Sequence, residues 1–255
     1  MLFKMQKKLQ PFYYSAFGVL LLLVFWQITV FFLTASVPIA VNLAPLAAAY
    51  SLWDLVISGE IFPHIFSSLM RVGVGLATAL IIGVPLGLCI GLSKRFDMVS
   101  GFSFQLLRMV SPLAWMPIAL MIFGVGNAPV FFLLSYAAVW PVMLNTSVGV
   151  RQIAPAFLEL GRSLAATRWE MLRNIVLPAI VSSILTGVRL AVGVLWIVLV
   201  PAEMLGVNDG LGYFILDTRD RLAYSELTAG IVVISLLGWG LDYLARSVSK
   251  LARKH

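Results

Sequence analysis

Residues 149–178 read GVRQIAPAFLELGRSLAATRWEMLRNIVLP, and the rest of the chain is organised around them. The stretch holds Arg151, Glu159, Arg162, Arg168, Glu170 and Arg173 in a protein where charge is scarce. Pro155 suits the first turn of a helix, where its missing N–H costs nothing. Phe157, Leu160 and Leu164 then recur at helical spacing, with Glu159, Arg162 and Arg168 elsewhere on the surface. A short amphipathic helix is expected there. On both sides the sequence turns apolar at once. Residues 129–148 and 178–201 are each long enough to cross a bilayer, which takes about 20 residues of helix. A polar helix tied between two crossings points to an all-α integral membrane protein.

Four further apolar runs lie outward from this centre, at 102–123, 68–92, 12–33 and 227–244, which makes six transmembrane helices. Composition agrees. Of 255 residues 61% are hydrophobic and 11% charged, whereas soluble domains carry about 25% charge. So little charge could not cover a globular surface. A β-barrel would need short alternating segments instead. Lys4, Lys7 and Lys8 before the first run resemble the start of a signal peptide. The run is longer than a secretory h-region and no small-residue cleavage site follows it, so an uncleaved first helix is expected. Gly124, Gly126, Asn127 and Pro129 mark a tight turn, and Asn208, Asp209 and Gly210 open a loop. Residues 44–58 read as a short interfacial helix. The whole, 1–255, reads as one transmembrane domain: 1–62 is a helix plus a segment on the outer face, 63–245 is the core, and 149–177 is a loop.

Lysine and arginine set the expected orientation. Lys4, Lys7 and Lys8, Lys94 and Arg95, the four arginines of 149–177, and Arg246, Lys250, Arg253 and Lys254 all fall on one side of six spans. The other side has only Arg219 and Arg221, beside Asp209, Asp217, Asp220 and Glu226. Both termini and the 149–177 loop are therefore expected in the cytoplasm. The net charge of +7 reflects these flanks and membrane lipid, with no interleaved basic–aromatic patch for nucleic acid.

Few residues could carry chemistry. Gly75, Ala79, Gly83, Gly87 and Gly91 line one helix face for close packing, or for a surface that slides in gating. Pro85 offers a kink in the same helix. Charges inside spans are costly and face protein or water. Arg189, Arg71 and Arg108 read either as ion pairs or as the positive lining of an anion pathway, and Glu203 reads as a structural partner for one of them. Ser111–Pro117 holds two prolines, expected to break the helix beside a pathway or to kink it for packing. Ser111, Trp115 and Trp196 complete the candidate pathway set. Cys89 reads as a small buried hydrophobe. The histidines are His64 and His255, and no H-E-x-x-H, G-x-S-x-G or G-x-x-x-x-G-K-[ST] pattern occurs, so no catalytic, metal or nucleotide site is expected.

Glu159-Leu160-Gly161-Arg162-Ser163-Leu164-Ala165, followed by Ile175-Val176-Leu177-Pro178, resembles the EAA loop of ABC importer permeases. Glu159, Gly161, Ile175, Leu177 and Pro178 match at the right spacing. Leu160 replaces a small residue, and Ala165 replaces the glycine that ends the loop's first helix. Residues 64–93, 111–117, 123–127 and 202–217 are similar to the nitrate/sulfonate/taurine/bicarbonate branch, and the resemblance covers 63–243. It implies a type I, MetI-like fold in the bacterial inner membrane. It also implies no catalytic site on this chain, with ATP and magnesium handled by two partner ATPase subunits docked on Glu159–Ala165. A second permease subunit, expected to be identical, would complete the pathway, and an extracytoplasmic binding protein would deliver cargo. That cargo would be a small anion, with Arg189 the foremost residue to favour it. A neutral or cationic heterocycle is the alternative within the family. A membrane-embedded enzyme, or an ATP-independent channel or secondary transporter, is the alternative outside it; the lack of a long internal repeat weighs against the last.

Overall fold

The computed structural model describes residues 2–252, with side chains at 14 and 16–249. Arg253, Lys254 and His255 lie outside the described residues, as do the side chains of Lys4, Lys7, Lys8 and Lys250. The described residues are all helical or in turns. They form two compact units, Met1–Phe62 with Ile215–Val233, and Pro63–Phe214 with Ile234–His255.

The first unit contains α1 (Leu2–Ser36), a 3-10 turn at Pro38–Leu43, and α2 (Pro45–Ser58). α2 is the short helix expected over 44–58. The chain reverses between α1 and α2, and the Trp26 indole N–H closes the reversal on the Leu43 carbonyl at 3.0 Å. From residue 16 onward α1 exposes apolar side chains such as Phe25, Phe31 and Phe32, as a lipid-facing helix does. The junction of α10 (Leu211–Asp220) and α11 (Tyr224–Ala252) also belongs to this unit from Ile215 on. Arg221 ties it, donating to Asp217 at 2.9 Å and Glu226 at 3.2 Å.

The second unit is built on α6 (Asn127–Arg151), whose Leu133, Leu134, Ala138, Val142 and Thr146 are fully buried. α9 (Leu177–Gly206) packs along it most extensively. Gly149 seats Ser183 and Gly187 seats the Pro141 carbonyl, because neither glycine has a Cβ to hold the helices apart. α3 (Ile61–Leu92) approaches the same helix through Gly75, Gly83, Gly87 and Gly91 and continues helical across Pro85.

Among the described residues five helices are long and apolar enough to cross a membrane: Ala16–Ser36, Ile61–Leu92, Asn127–Arg151, Arg168–Gly206 and Tyr224–Ser249. The span expected over 102–123, with a break or kink at Ser111–Pro117, is a broken pair. α4 (Lys94–Met109) stops, a 3-10 turn follows at Pro112–Trp115, and α5 (Met116–Phe123) leaves at 86°. Pro112 is the cause. It pushes Ser111 out of the helical region, to φ −58° and ψ 132°, so α4 must end before it. Pro117 breaks nothing, since it lies in the first turn of α5.

Candidate functional site

The 149–178 stretch folds as an elbow of short helices joined by capped turns. α7 (Pro155–Ser163) opens on Pro155 and carries Phe157 and Leu160 at 60% and 57% exposure; Leu164 follows at its C-cap at 73%. Glu159, Arg162 and Ser163 are exposed beside them. Gly161 faces the other way and is buried. A Cβ there would lie 2.7 Å from Ile175 and 2.9 Å from the Met171 sulfur, so glycine lets α7 lie directly on the following turn. Leu158 joins Met171, Val176 and Ile180 underneath.

The end of α7 explains the departure at position 165. The Ala166 N–H donates to the Gly161 carbonyl and the Ala165 N–H to the Arg162 carbonyl, both at 3.0 Å, the two bonds of a Schellman cap. That cap needs a left-handed residue, and Ala165 takes φ 52°. The sharp bend is kept without glycine, at a strain of about 1 kcal/mol. Ala165→Gly is therefore expected to stiffen the cap, slowing amide exchange at Ala165 and Ala166 about fivefold. Unchanged or faster exchange would show that the alanine is unstrained.

Thr167 then starts α8 (Arg168–Met171) with a reciprocal cap. Its hydroxyl accepts from the Glu170 N–H, and the Glu170 carboxylate accepts the Thr167 N–H at 2.8 Å. A π-turn at Leu172–Val176 runs straight into α9, with Leu177 and Pro178 in its first turn. Ile175 and Leu177 are partly buried, and Pro178 is exposed. Loop and crossing are thus one continuous element.

A second polar cluster joins α3, α9 and the start of α10. Arg71 and Glu203 are both fully buried. Arg71 donates to Glu203 at 2.7 Å, to Asn127 at 2.8 Å, to the Asp209 carbonyl at 3.0 Å and to the Asp209 carboxylate. Glu203 also accepts from Ser68 at 2.8 Å and from the Gly212 N–H at 2.8 Å, which places its charge at the N-terminus of α10. Ser68 accepts from the Leu211 N–H, and His64 Nδ1 from the Gly210 N–H. Partial burial pushes the Asp209 carboxyl up. Hydrogen bonds from Ser67 and Arg71, with the Arg71 charge, outweigh that and hold it below the ordinary value. The sequence reading singled out Arg71 and Glu203 and missed the rest. The available signal was that His64, Ser67, Ser68 and Arg71 share one helical face.

The remaining pathway candidates are dispersed. Arg189 reaches Asp242 of α11 at 3.3 Å, and Asp242 also pairs with Arg246. Trp196 packs against Gly238, where a Cβ would approach its indole nitrogen to 2.5 Å. Arg108 lies in the last turn of α4, Ser111 is exposed in the break, and Trp115 lies in the 3-10 turn with its ring 5.8 Å from Tyr136. No group of three or more metal-ligating side chains occurs among the described residues.

The chain is similar to known proteins in sequence and in fold. Residues 79–254 match the family of binding-protein-dependent transport system inner membrane components. The nitrate import permease protein NrtB of Leptolyngbya laminosa is 36% identical over 209 residues, 78% of this chain and 75% of that one. The bicarbonate transport system permease protein CmpB of Synechococcus elongatus is 36% identical over 184 residues, 71% of this chain and 66% of that one. In fold, a chain of the inward-facing methionine ABC transporter MetNI superposes with a TM-score of 0.63 at 14% identity, covering 75% of this chain and 95% of that one. The chain therefore belongs to the permeases of binding-protein-dependent ABC importers, in the nitrate/sulfonate/taurine/bicarbonate family: multi-pass plasma-membrane subunits with no catalytic activity of their own, whose family implies ATPase and binding-protein partners.

Proposed function

We propose that two copies of this chain enclose the pathway of an importer for a small oxoanion, and that α7 is the lever through which two ATPase subunits drive it. The observation that carries the lever is the exposed apolar face of Phe157, Leu160 and Leu164, on a helix outside the spans and followed by capped turns. Solvent alone gives no reason for three such side chains to cluster there; an apolar groove on a partner does. The positive flanks support a cytoplasmic position for this elbow.

The elbow is tied at each of its turns. Gly161 seats α7 on Met171 and Ile175, the Schellman cap and the Thr167 cap lock the turn, and the π-turn continues into α9. Movement of α7 is passed to α9, and through its packing on α6 to the core. The ATPase pair shifts the permease between open states only insofar as it grips α7 differently in each. The oxoanion reading is supported by relatives described as importing nitrate and bicarbonate.

Glu159 stands exposed on α7 beside this face. Glu159→Arg is expected to lower both uptake and binding-protein-stimulated ATP hydrolysis about tenfold, with membrane insertion intact. The assay is proteoliposomes holding the full complex. Normal uptake by the variant removes the lever role. For cargo, the cognate binding protein is titrated with nitrate, bicarbonate, an alkanesulfonate and a cationic heterocycle; binding of the heterocycle alone would overturn the oxoanion assignment.

A further inference from the structure

The three arginines that the sequence places inside apolar runs, Arg71, Arg108 and Arg189, are not equivalent. Arg71 is buried against Glu203 and Asp209, and Arg189 is held by Asp242. Arg108 has no carboxylate and no hydrogen-bond acceptor among the described residues, and it is exposed. About 21 Å of helix separates it from Lys94 at the start of α4, at 1.5 Å per residue. An unpaired charge this far into a crossing faces protein or water, not lipid.

The backbone makes the same point independently. α4 ends one residue later, and the chain runs non-helical from Val110 to Ser111 before turning through 86°. Such backbone at membrane depth persists only where protein or a water-filled cavity receives its polar groups. Tyr136 from α6 donates its hydroxyl to the freed Leu107 carbonyl, so α6 supports the break.

Two clefts meet at Arg108. One, of about 360 Å³, runs past Pro112, Trp140, Asn145 and Leu190. The other, of about 390 Å³, leads past Gln105 and Ser147 to Arg151, which is paired with Asp97 at 2.8 Å. No carboxylate lines the first cleft. Its wall is mostly apolar, and besides Arg108 its side-chain donors are Asn145 and Trp140. Asn145 spends one amide N–H on the Pro141 carbonyl and retains another, and the Trp140 indole N–H is buried with no acceptor among the described residues.

The geometry points to Arg108 as an anion transit site. It draws a partly dehydrated oxoanion to the break between α4 and α5, and the anion then passes from the Trp140–Asn145 cleft toward the Arg151 cleft. This rests on the oxoanion cargo proposed above. A guanidinium presents a planar fork of donors that matches two oxygens of such an anion. Apolar neighbours such as Leu190 strengthen the attraction by excluding water. The volume far exceeds that of one small anion, which suits passage more than tight capture.

The test is uptake by the full complex in proteoliposomes at saturating binding protein, with binding-protein-stimulated ATP hydrolysis followed in parallel. Arg108→Gln is expected to slow oxoanion uptake about tenfold or more while stimulated hydrolysis stays within about twofold of wild type. In a Cys89→Ala background, Arg108→Cys should be equally slow. It should recover on modification with a positively charged aminoethyl methanethiosulfonate, and not with the negatively charged sulfonatoethyl reagent. Full uptake by Arg108→Gln overturns the transit site. So does parallel loss of uptake and hydrolysis that the positive reagent fails to restore, since Arg108 would then only stabilise the end of α4. If wild type itself moves no oxoanion, the cargo reading fails and takes this inference with it. That outcome is distinct, because wild type and variant then behave alike.

Discussion

Replacing Glu203 with alanine is expected to destabilise the folded permease by about 3–5 kcal/mol, lowering its unfolding midpoint in detergent by roughly 10 °C. Glu203 and Arg71 are both fully buried, and every strong polar group around them is committed. Without the carboxylate, Arg71 keeps Asn127 and the half-exposed Asp209 but loses its buried counter-charge. Ser68 loses its acceptor, and the Gly212 N–H at the start of α10 is left unpaired. Each buried orphan adds about 1–3 kcal/mol. Glu203→Gln keeps the shape and the acceptor oxygen, so it should fall between wild type and alanine. The double variant Arg71→Met with Glu203→Leu removes the charge and its partner together, and should recover most of the lost stability. An alanine variant that melts within about 2 °C of wild type would show that the pair contributes little.

This cluster also shows where reading a sequence stops. Arg71 and Glu203 stand out because each is a charge in an apolar run. Their other partners do not. Asn127 looks like a turn residue and Asp209 like a loop residue, yet Asn127 is 56 positions from Arg71, and Asp209 is 142 from Ser67. Nothing local records such a meeting; it follows from how α3 and α9 pack. The elbow is the opposite case. Its proline start, apolar spacing, buried Gly161 and Thr167 cap act within a few residues of one another, so helix and loop were legible. The broken third span lies between these extremes. Pro112 announced an interruption, but 86° depends on where α5 finds packing against α6, a tertiary matter. Ala165 is a further lesson: an apparent departure from the loop signature keeps the signature's geometry, because the cap bonds hold φ at 52°.

Gly87→Leu is expected to be the most damaging single change among the small residues of α3, costing about 3 kcal/mol or more and leaving little folded protein. A Cβ at 87 would sit 2.5 Å from the Met143 carbonyl oxygen and 2.6 Å from Thr146 Cβ. Neither can yield. The carbonyl belongs to the α6 backbone, and Thr146 is fully buried with its hydroxyl on the Val142 carbonyl at 2.8 Å. The helices must therefore part, and the contacts at Gly83 and Gly91, one turn to either side, part with them. Lipid offers no hydrophobic push to hold two helices together, so shape complementarity holds this pair. Gly73→Leu is the control. It lies on the same helix and adds the same bulk, but nothing stands within 4 Å of a Cβ there, so it should fold like wild type. Equal melting of the two variants in detergent would refute the close seat. A clear difference would mean that the bare glycine at 87 is what lets α3 sit directly on the α6 backbone.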